Sequence, residues 1–433
     1  MLEQLRQVSH WEPPSVRGQK TRDDRAFYES LRRQYETRHS LSPRQRAVLQ
    51  RLVKKYTRNL RQPGESQAAP AAGLQALIAS QPEHPYALVG LEAIDRALQA
   101  LQALCAAAGY PLHGSLERNW WLPSAAGGVR PTCLAPETMI KGDLRRREPM
   151  LLVGFDPFLD FFAAFAADSL NAQGYLARDV TLDLPRPDQR KLVNGTNLAR
   201  LFETEAFRAE VADALRPRLG DAARVGFPAV LGLRGDRAVA IQHDLEARLG
   251  REVFEIPVLP PSVPGMRLHH ILVAAIEQAS GRVFEGMEAV QADSEDGRVT
   301  VIWTQAAARR LAHRAERYIL ATGGILGGGL VAEGDGTVRE VVCGLPVAAV
   351  PPHEAWFAAE FLAPGGHPIY QAGLAVNRQL QPLDERGQVA YANLYAAGNT
   401  LAHCDSVRER SFEGVALATG YAAAGSSPAG RGR

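Results

Sequence analysis

Cysteine is scarce in this chain of 433 residues, and its four copies are scattered: Cys105, Cys133, Cys343 and Cys404. No two of them form a CxxC pair, which excludes a zinc ribbon built from cysteine alone and argues against a disulfide framework. Ligands at workable spacing are too few for an iron–sulfur cluster or a zinc site. We therefore predict no metal centre, and a reducing cytoplasm as the compartment.

Membrane-spanning and secretion segments are missing as well. The charge-free apolar stretch Tyr318–Ala332 has fifteen residues and five glycines, so it is too short to span a bilayer. The first ten residues lack the charged and then apolar layout of a signal peptide. These absences predict a soluble protein without a transmembrane segment.

The composition that is present, with 46% apolar and 22% charged residues, is typical of globular proteins and excludes wholesale disorder. The length predicts two or three domains. A net charge of +2 conceals an uneven distribution. Residues 1–70 carry 15 Lys and Arg against 7 Asp and Glu, and the remaining residues carry 34 against 40. A basic arm thus precedes an acidic body.

The arm is predicted to form two short helices and a linker. Phe27, Leu31 and Tyr35 recur at helical spacing, and residues 42–58 have an N-cap, a proline at the first helical position and one apolar face. Residues 62–73 are rich in Pro, Gly and Ala, as linkers are. The spacing predicts no β-strand in the arm.

Two interpretations of the basic helices remain open. They could form a nucleic-acid-binding hairpin, or a solvated pair that docks on an acidic partner. No residue pattern here identifies a recognition helix, which favours the second interpretation. We do not expect nucleic acid to be a partner.

The body, from residue 74 onward, alternates strands and helices and predicts an α/β fold around a mostly parallel sheet. The proline-rich segment 257–264 is expected to mark a domain boundary. The predicted helices are Gly90–Ala108, Phe158–Asn171 and Leu268–Ser280. The predicted strands are the short apolar segment Gly226–Leu233, one that begins with Arg282–Phe284, Val299–Trp303 and Arg317–Ala321. Strand and loop are predicted for Trp120–Arg130 and Glu148–Gly154.

Two glycine motifs follow apolar strands and suggest a ligand site. The first is Thr322-Gly323-Gly324, and ligands of open α/β sheets bind at such carboxyl ends of strands. The second is Gly398-Asn399, followed by a small-residue helix that begins near Gly414, whose first N–H groups could receive an anion. Either motif alone could be a plain strand–turn–helix.

Together and in this order, the motifs resemble the C-terminal half of flavoproteins with two dinucleotide folds. That resemblance implies that Thr322, Gly323, Gly324, Gly398 and Asn399 bind the cofactor, with Gly414 at the start of the closing helix. Flavoproteins of this kind carry Ala-Gly-Asp where this chain has Ala-Gly-Asn, with Asn399 at the position of the Asp.

A closer resemblance covers roughly residues 74–424. The chain resembles the B subunits of the anaerobic glycerol-3-phosphate dehydrogenases in six blocks: His84–Ile94, Tyr110–Asn119, Arg130–Thr138, Pro260–Leu268, Leu320–Gly329 and Leu394–Ala423. The resemblance implies FMN, or alternatively FAD, and the oxidation of sn-glycerol 3-phosphate to dihydroxyacetone phosphate. It also implies a catalytic flavoprotein subunit and an iron–sulfur, membrane-anchoring subunit as partners, with electrons passing to quinone. The chain would then be cytoplasmic, or peripheral at the inner membrane through a partner.

One feature of the family is missing. Its members begin with a strand that runs into GxGxxG, the phosphate cradle of the dinucleotide fold, and no GxGxxG occurs anywhere in this chain. Loss of that strand would leave an open sheet edge and a cofactor phosphate without backbone donors. We therefore expect any flavin to be held weakly.

The expected architecture is a discontinuous three-layer sandwich of the two-dinucleotide-fold type, with an inserted cap and an N-terminal helical arm. The boundaries we predict are 1–73 for the arm and linker, 74–107 and 261–433 for the flavin-type domain, and 108–260 for the substrate or cap domain. The strands before Gly323 and Gly398 should then share one sheet.

Reactive side chains are harder to assign. Arg118, Arg130 and Arg267 lie in the family-like blocks and are candidate contacts for phosphate or flavin. The candidate bases are His113, His269, His270 and His403. Because most single histidines are structural, we assign no catalytic residue.

Three functions therefore stay open. The chain could be a flavin-dependent oxidoreductase subunit, a flavin-less assembly subunit, or a nucleic-acid-binding protein that uses its basic arm. The first is favoured by the motifs and by the resemblance.

Overall fold

A computed structural model of the chain describes residues 15–17, 20–22, 24–38, 45, 48, 69–183, 194–307 and 309–425. The strands are β1 Ser15–Arg17, β2 Lys20–Arg22, β3 Leu112–Gly114, β4 Trp120–Pro123, β5 Val129–Thr132, β6 Leu134–Pro136, β7 Met150–Asp156, β8 Ala177–Asp183, β9 Arg224–Pro228, β10 Glu252–Ile256, β11 Glu288–Glu295, β12 Arg298–Ala306, β13 Arg309–His313, β14 Tyr318–Leu320, β15 Leu330–Ala332, β16 Val338–Glu340 and β17 Leu394–Ala396. The α-helices are α1 Asp24–Arg38, α2 Pro70–Ser80, α3 Pro85–Val89, α4 Leu91–Ala107, α5 Glu137–Ile140, α6 Ala163–Ala172, α7 Gly195–Phe202, α8 Glu205–Leu215, α9 Gly235–Leu249, α10 Val263–Gln278, α11 Ser406–Glu409 and α12 Phe412–Gly425.

The chain divides into two compact units, and both are discontinuous in sequence. The first unit consists of Met1–Ala68, Ala107–Gly114 and Arg118–Ile271. The second unit consists of Ala69–Ala106, Ser115–Glu117 and Leu272–Arg433. The boundary at Ile271 falls inside α10, beyond the proline-rich segment where the sequence suggested it.

The first unit is built on a four-stranded parallel sheet in the order β10-β9-β7-β8. From β7 the chain moves outward in one direction to β8 and in the other through β9 to β10. Because crossovers between parallel strands are right-handed, this reversal places the connecting helices on both faces of the sheet. Strands β7 and β9 are correspondingly buried almost throughout and read as apolar runs, MLLVGF and VGF.

The second unit has smaller sheets. Strands β14 and β17 form a parallel pair, β11, β12 and β13 form an antiparallel meander, and β15 pairs with β16. Residues of β14, β17 and β12 share one apolar core, to which Leu320, Leu394 and Val299 contribute. The buried Asn393 side chain joins these sheets, since it accepts from the Val299 amide at 2.9 Å and donates to the Val299 carbonyl at 2.8 Å.

The outer edge of β14 is open within the described part of the chain. In a parallel pair of strands, alternate residues form the backbone hydrogen bonds to the neighbouring strand. Here Tyr318 and Leu320 form those on the β17 side. The peptide groups of Ile319 therefore point away from β17, and its side chain is exposed.

Several sequence expectations need correction. Arg282–Phe284 is not a strand, and the next strand begins at Glu288. The helix expected over Phe158–Asn171 begins only at Ala163. The arm does contain strands, the short antiparallel pair β1–β2, although its first helix forms as predicted over Asp24–Arg38. The second arm helix lies outside the described residues, apart from single positions.

The distribution of the parallel strands also differs from expectation. The mixed α/β class is correct, but the larger parallel sheet lies within residues 150–256, the segment predicted to be the cap. None of the helices in the described ranges is long and apolar enough to cross a membrane.

Candidate functional site

The carboxyl ends of β14 and β17 meet side by side in the second unit. The strands pair in parallel, with Tyr318 opposite Leu394 and Leu320 opposite Ala396. The two glycine motifs follow directly, Thr322-Gly323-Gly324 after β14 and Gly398-Asn399 after β17. The expectation that both strands share one sheet is confirmed, and the motifs are thereby brought together.

A cavity of about 170 Å³ opens at this edge. It is lined by Gly323, Gly324, Ile325, Leu326, Gly327, Ile369, Tyr370, Ala372, Asn399, Cys404, Ser406, Val407 and Phe412. Ligand cavities usually measure about 300–1,000 Å³, so this one is too small for a whole dinucleotide.

The backbone of this edge depends on glycine. Gly323 has a φ of +79°, a conformation that side chains rarely adopt. A Cβ on Gly324 would stand 2.5 Å from the carbonyl oxygen of Asn399, closer than real atoms approach. The two strand ends can therefore lie against each other only because position 324 has no side chain.

A polar atom at the cavity lacks a partner. Asn399 is one of the residues that line the cavity, and within the described part of the chain its Oδ1 is buried without a hydrogen-bond donor. Such orphaned acceptors are costly unless a ligand or water supplies the hydrogen. A ligand with hydroxyl groups, such as the ribityl chain of a flavin, would satisfy it. The residues present thus fit the non-phosphate part of a flavin.

The remaining predicted site residues lie around the cavity rather than in its wall. Thr322 lines a neighbouring cavity of about 290 Å³ beside β14, and its Oγ1 is also buried without a partner. Gly398 is buried, and its N–H donates to Thr419 Oγ1 on α12 at 2.8 Å. At Gly414 a Cβ would overlap the Tyr86 hydroxyl, so the lack of a side chain at this position allows α3 to pack closely on α12.

Sequence reasoning missed one wall of the cavity, the segment from Cys404 to Phe412. It is held by the fully buried His84, whose Nε2 lies 3.0 Å from Glu409 Oε2. The signal was available in the sequence, because His84 precedes Pro85 at the start of a helix. His84 is indeed the N-cap of α3, and its Nδ1 accepts from the Tyr86 amide at 3.1 Å.

The same residues have the composition of a metal site. Ligand atoms of His84, Cys404 and Glu409 all lie within 4.8 Å of one another. However, His84 Nδ1 accepts the Tyr86 N–H, so in the neutral imidazole the proton is on Nε2. A protonated Nε2 cannot ligate a metal. The donor set therefore fits a hydrogen-bond network better than a metal centre.

Arg267, a candidate phosphate or flavin contact, has a different role. It is fully buried in the first unit and forms a bidentate pair with Glu255, with distances of 2.6 and 2.8 Å. Its Nε donates to the Gly232 carbonyl at 2.9 Å. Burial alone would lower the pKa of Arg267, but the charge and hydrogen bonds of Glu255 outweigh burial and raise it. Arg267 is a structural cation, and its assignment as a ligand contact was wrong.

The other candidates are spread over the two units. Arg118 and Arg130 are exposed in the first unit. His113 lies 3.7 Å from Glu137. His269 and His270 are exposed on α10, in the first unit. Of the four histidines only His403 adjoins the cavity wall in sequence, and its φ of +65° places it in the left-handed region.

Similarity to known proteins extends over most of the chain. The family model described as FAD binding domain matches residues 56–411. A relative from Halobacterium salinarum, described as the probable B subunit of an anaerobic glycerol-3-phosphate dehydrogenase, is 35% identical over 352 residues. These residues cover 78% of this chain and 80% of the relative.

The chain belongs to this family. The B subunit of the anaerobic glycerol-3-phosphate dehydrogenase of Yersinia pestis is 30% identical over 363 residues, covering 82% of this chain and 83% of the relative. That of Pectobacterium carotovorum is 31% identical over 361 residues, covering 82% and 84%. No solved structure matches the chain. The resemblance inferred from the sequence blocks is confirmed at the level of the family.

Proposed function

We propose that this chain is a flavin-dependent oxidoreductase subunit of an anaerobic glycerol-3-phosphate dehydrogenase complex. In this proposal sn-glycerol 3-phosphate is oxidised to dihydroxyacetone phosphate, and electrons pass through an iron–sulfur subunit to quinone. Family membership supports the class of reaction. The observation that carries the proposal for this chain is that Asn399 lines the cavity where β14 and β17 end and that its buried Oδ1 has no partner among the described residues.

The chain's own residues would hold the cofactor in a simple way. Gly323 and Gly324 let the backbone segments at the strand ends pack closely, and both residues line the cavity that would receive the cofactor. The amide oxygen of Asn399 would accept a hydroxyl hydrogen. Tyr370 and Phe412 line the cavity with aromatic surface. When bound, a flavin supplies the acceptor for the hydride of a secondary alcohol.

We propose FMN rather than FAD as the cofactor, although the family description names FAD. The cavity of about 170 Å³ favours the smaller molecule. No GxGxxG occurs in the sequence to bind a second phosphate. Arg118 and Arg130, which are exposed in the first unit, stay candidates for a phosphate or flavin contact, as the sequence suggested.

The test is the absorbance of the purified protein between about 350 and 500 nm, with any flavin extracted and identified. Because the flavin should be held weakly, we expect the absorbance of bound flavin once FMN is added in excess. With FMN and its partner subunits present, the protein should reduce a quinone analogue with glycerol 3-phosphate. Released FAD would correct the cofactor. A colourless protein that takes up no added flavin would instead support a role in assembly, which the missing phosphate cradle favours as the second candidate.

A further inference from the structure

We propose that His84 and Glu409 are the positioning pair of the cavity, holding the Cys404–Phe412 wall in place and keeping the Cys404 thiol as a hydrogen-bond donor. The proposal deepens the proposed function, because it rests on the same cavity. It assigns a role to His84 and Glu409, which are not among the residues that line the cavity.

The protonation of His84 follows from its two contacts. Nδ1 accepts from the Tyr86 amide, whose hydrogen is fixed, so Nε2 carries the imidazole proton. Nε2 then donates to Glu409 Oε2 at 3.0 Å. The imidazole is fully buried, and it cannot exchange these roles without losing the cap of α3.

Glu409 is the acceptor at the centre of the network. Its Oε2 accepts from His84, from the Cys404 thiol at 3.3 Å and from the Ser411 hydroxyl at 3.1 Å, and its Oε1 accepts from the Asp405 amide at 3.3 Å. Burial would raise the pKa of Glu409, but hydrogen bonds from His84 and its neighbours lower it. The carboxylate therefore ties both ends of the wall segment to α3.

This arrangement determines what Cys404 presents to the cavity. Cys404 is one of the residues that line the cavity, and its thiol hydrogen is directed to the carboxylate. Burial and the charge of Glu409 raise the pKa of Cys404 to about 12. A thiolate there would face two carboxylates, Glu409 and Asp405. The wall thus offers a neutral, poorly nucleophilic sulfur beside the proposed flavin.

Alkylation of the flavin-free protein by iodoacetamide tests the proposal, with each cysteine followed by mass spectrometry between about pH 6 and 10. Two variants separate the contacts. Glu409→Gln removes the charge but not the shape. His84→Asn keeps the cap of α3, because asparagine is a preferred N-cap, but is too short to reach Glu409. Glu413→Gln, an exposed carboxylate in the first turn of α12, is the matched control.

In Glu409→Gln we expect the alkylation profile of Cys404 to move to lower pH. At a fixed pH the alkylation rate should rise roughly tenfold if the pKa of the thiol falls by about one. In His84→Asn the Glu409 carboxylate remains, so the pH dependence of Cys404 alkylation should keep its shape. The alkylation rate should instead rise by the same factor at every pH, because the wall segment is no longer held by His84. Glu413→Gln should match the wild type. Cys343, which lies outside the wall, should be unchanged in all three and serves as the internal control.

The proposal is overturned if Cys404 reacts alike in the wild type and both variants, or if Glu413→Gln shifts the profile as Glu409→Gln does. Should Glu409→Gln fail to fold, an unchanged rate in His84→Asn is enough to reject the pair. Added FMN should slow Cys404 alone. Absence of that protection, with the variant effects intact, would count against the flavin site and leave the positioning pair standing.

Discussion

The two units each contain parallel strands whose carboxyl ends border a cavity of about 170 Å³, and the two cavities differ in chemistry. In the first unit the ends of β7 and β8 are bordered by exposed polar and charged side chains, Thr181, Asp183, Glu210 and Arg218. In the second unit the ends of β14 and β17 consist of glycine and of Asn399, whose buried Oδ1 has no hydrogen-bond partner among the described residues. Buried atoms without a partner also occur in the first unit, Arg224 Nε on β9 among them, but none of those found in the described residues belongs to a residue that lines its cavity. The contrast is therefore between the two cavities.

The same contrast holds for buried polar side chains. In the first unit, the Arg267 guanidinium donates hydrogen bonds to Glu255, to the Tyr110 hydroxyl and to the Gly232 carbonyl. It is therefore bound within the protein and is not available to a ligand. In the second unit Asn399 has no donor for its oxygen among the described residues. The contacts that a buried polar side chain already makes thus help to distinguish a structural position, such as Arg267, from a candidate binding position.

The largest effect on stability is expected from removing the buried Arg267–Glu255 ion pair of the first unit. Arg267→Met leaves Glu255 buried without its partner, which should cost about 3–5 kcal/mol of unfolding free energy. Urea denaturation measures the loss. Adding Glu255→Gln should restore part of it, since the uncompensated charge is then gone. A fully stable Arg267→Met protein that only loses phosphate binding would return Arg267 to the site.

Gly398→Val should abolish flavin binding and destabilise the second unit by about 1–3 kcal/mol. The reason is backbone strain: Gly398 has a φ of +76°, which valine adopts only at a cost, whereas a Cβ there would meet Ala416 at an ordinary 3.7 Å. Flavin content and thermal unfolding are the measurements. Undiminished flavin in soluble Gly398→Val protein would show that the cofactor site lies elsewhere.

Gly414→Ala tests whether this glycine serves packing or the cofactor. The new Cβ would overlap the Tyr86 hydroxyl, and since that atom ends a side chain we expect a cost of about 1 kcal/mol. Adding Tyr86→Phe removes the overlapping oxygen and should recover the melting temperature. If adding Tyr86→Phe does not recover the melting temperature, the role of Gly414 is not to allow close packing of α3 on α12.

Asn399→Leu should have the smallest effect on stability and one of opposite sign. Removing an unsatisfied buried acceptor should stabilise the flavin-free protein by up to about 1 kcal/mol, while flavin affinity falls roughly tenfold. Thr181→Ala, at the corresponding edge of the first unit, is the control and should change neither. Equal flavin affinity in Asn399→Leu and wild type would remove Asn399 from the site.

Sequence reasoning succeeded where the signal was local. The strand–glycine motifs predicted the meeting of β14 and β17, since apolar strands that end in glycine are readable without tertiary information. It failed where the partner of a side chain is set by the tertiary structure. The pairing of Arg267 with Glu255, and of His84 with Glu409 across 325 positions, cannot be read from either neighbourhood. Family membership was readable because long blocks match, whereas the division at Ile271 falls inside a continuous helix and leaves no mark.

The most direct test of the central claim, that the strand ends of the second unit bind a flavin without a phosphate cradle, is a titration of FMN and FAD into the flavin-free protein, followed by flavin fluorescence. Each missing charge-assisted hydrogen bond to a phosphate forfeits roughly 1.5–3 kcal/mol, about one to two decades of affinity. We predict saturable binding with a Kd in the micromolar range or weaker, lost in Gly398→Val. Submicromolar binding would contradict the claim that the chain lacks a phosphate cradle. The absence of saturable binding would contradict the claim that the strand ends bind a flavin.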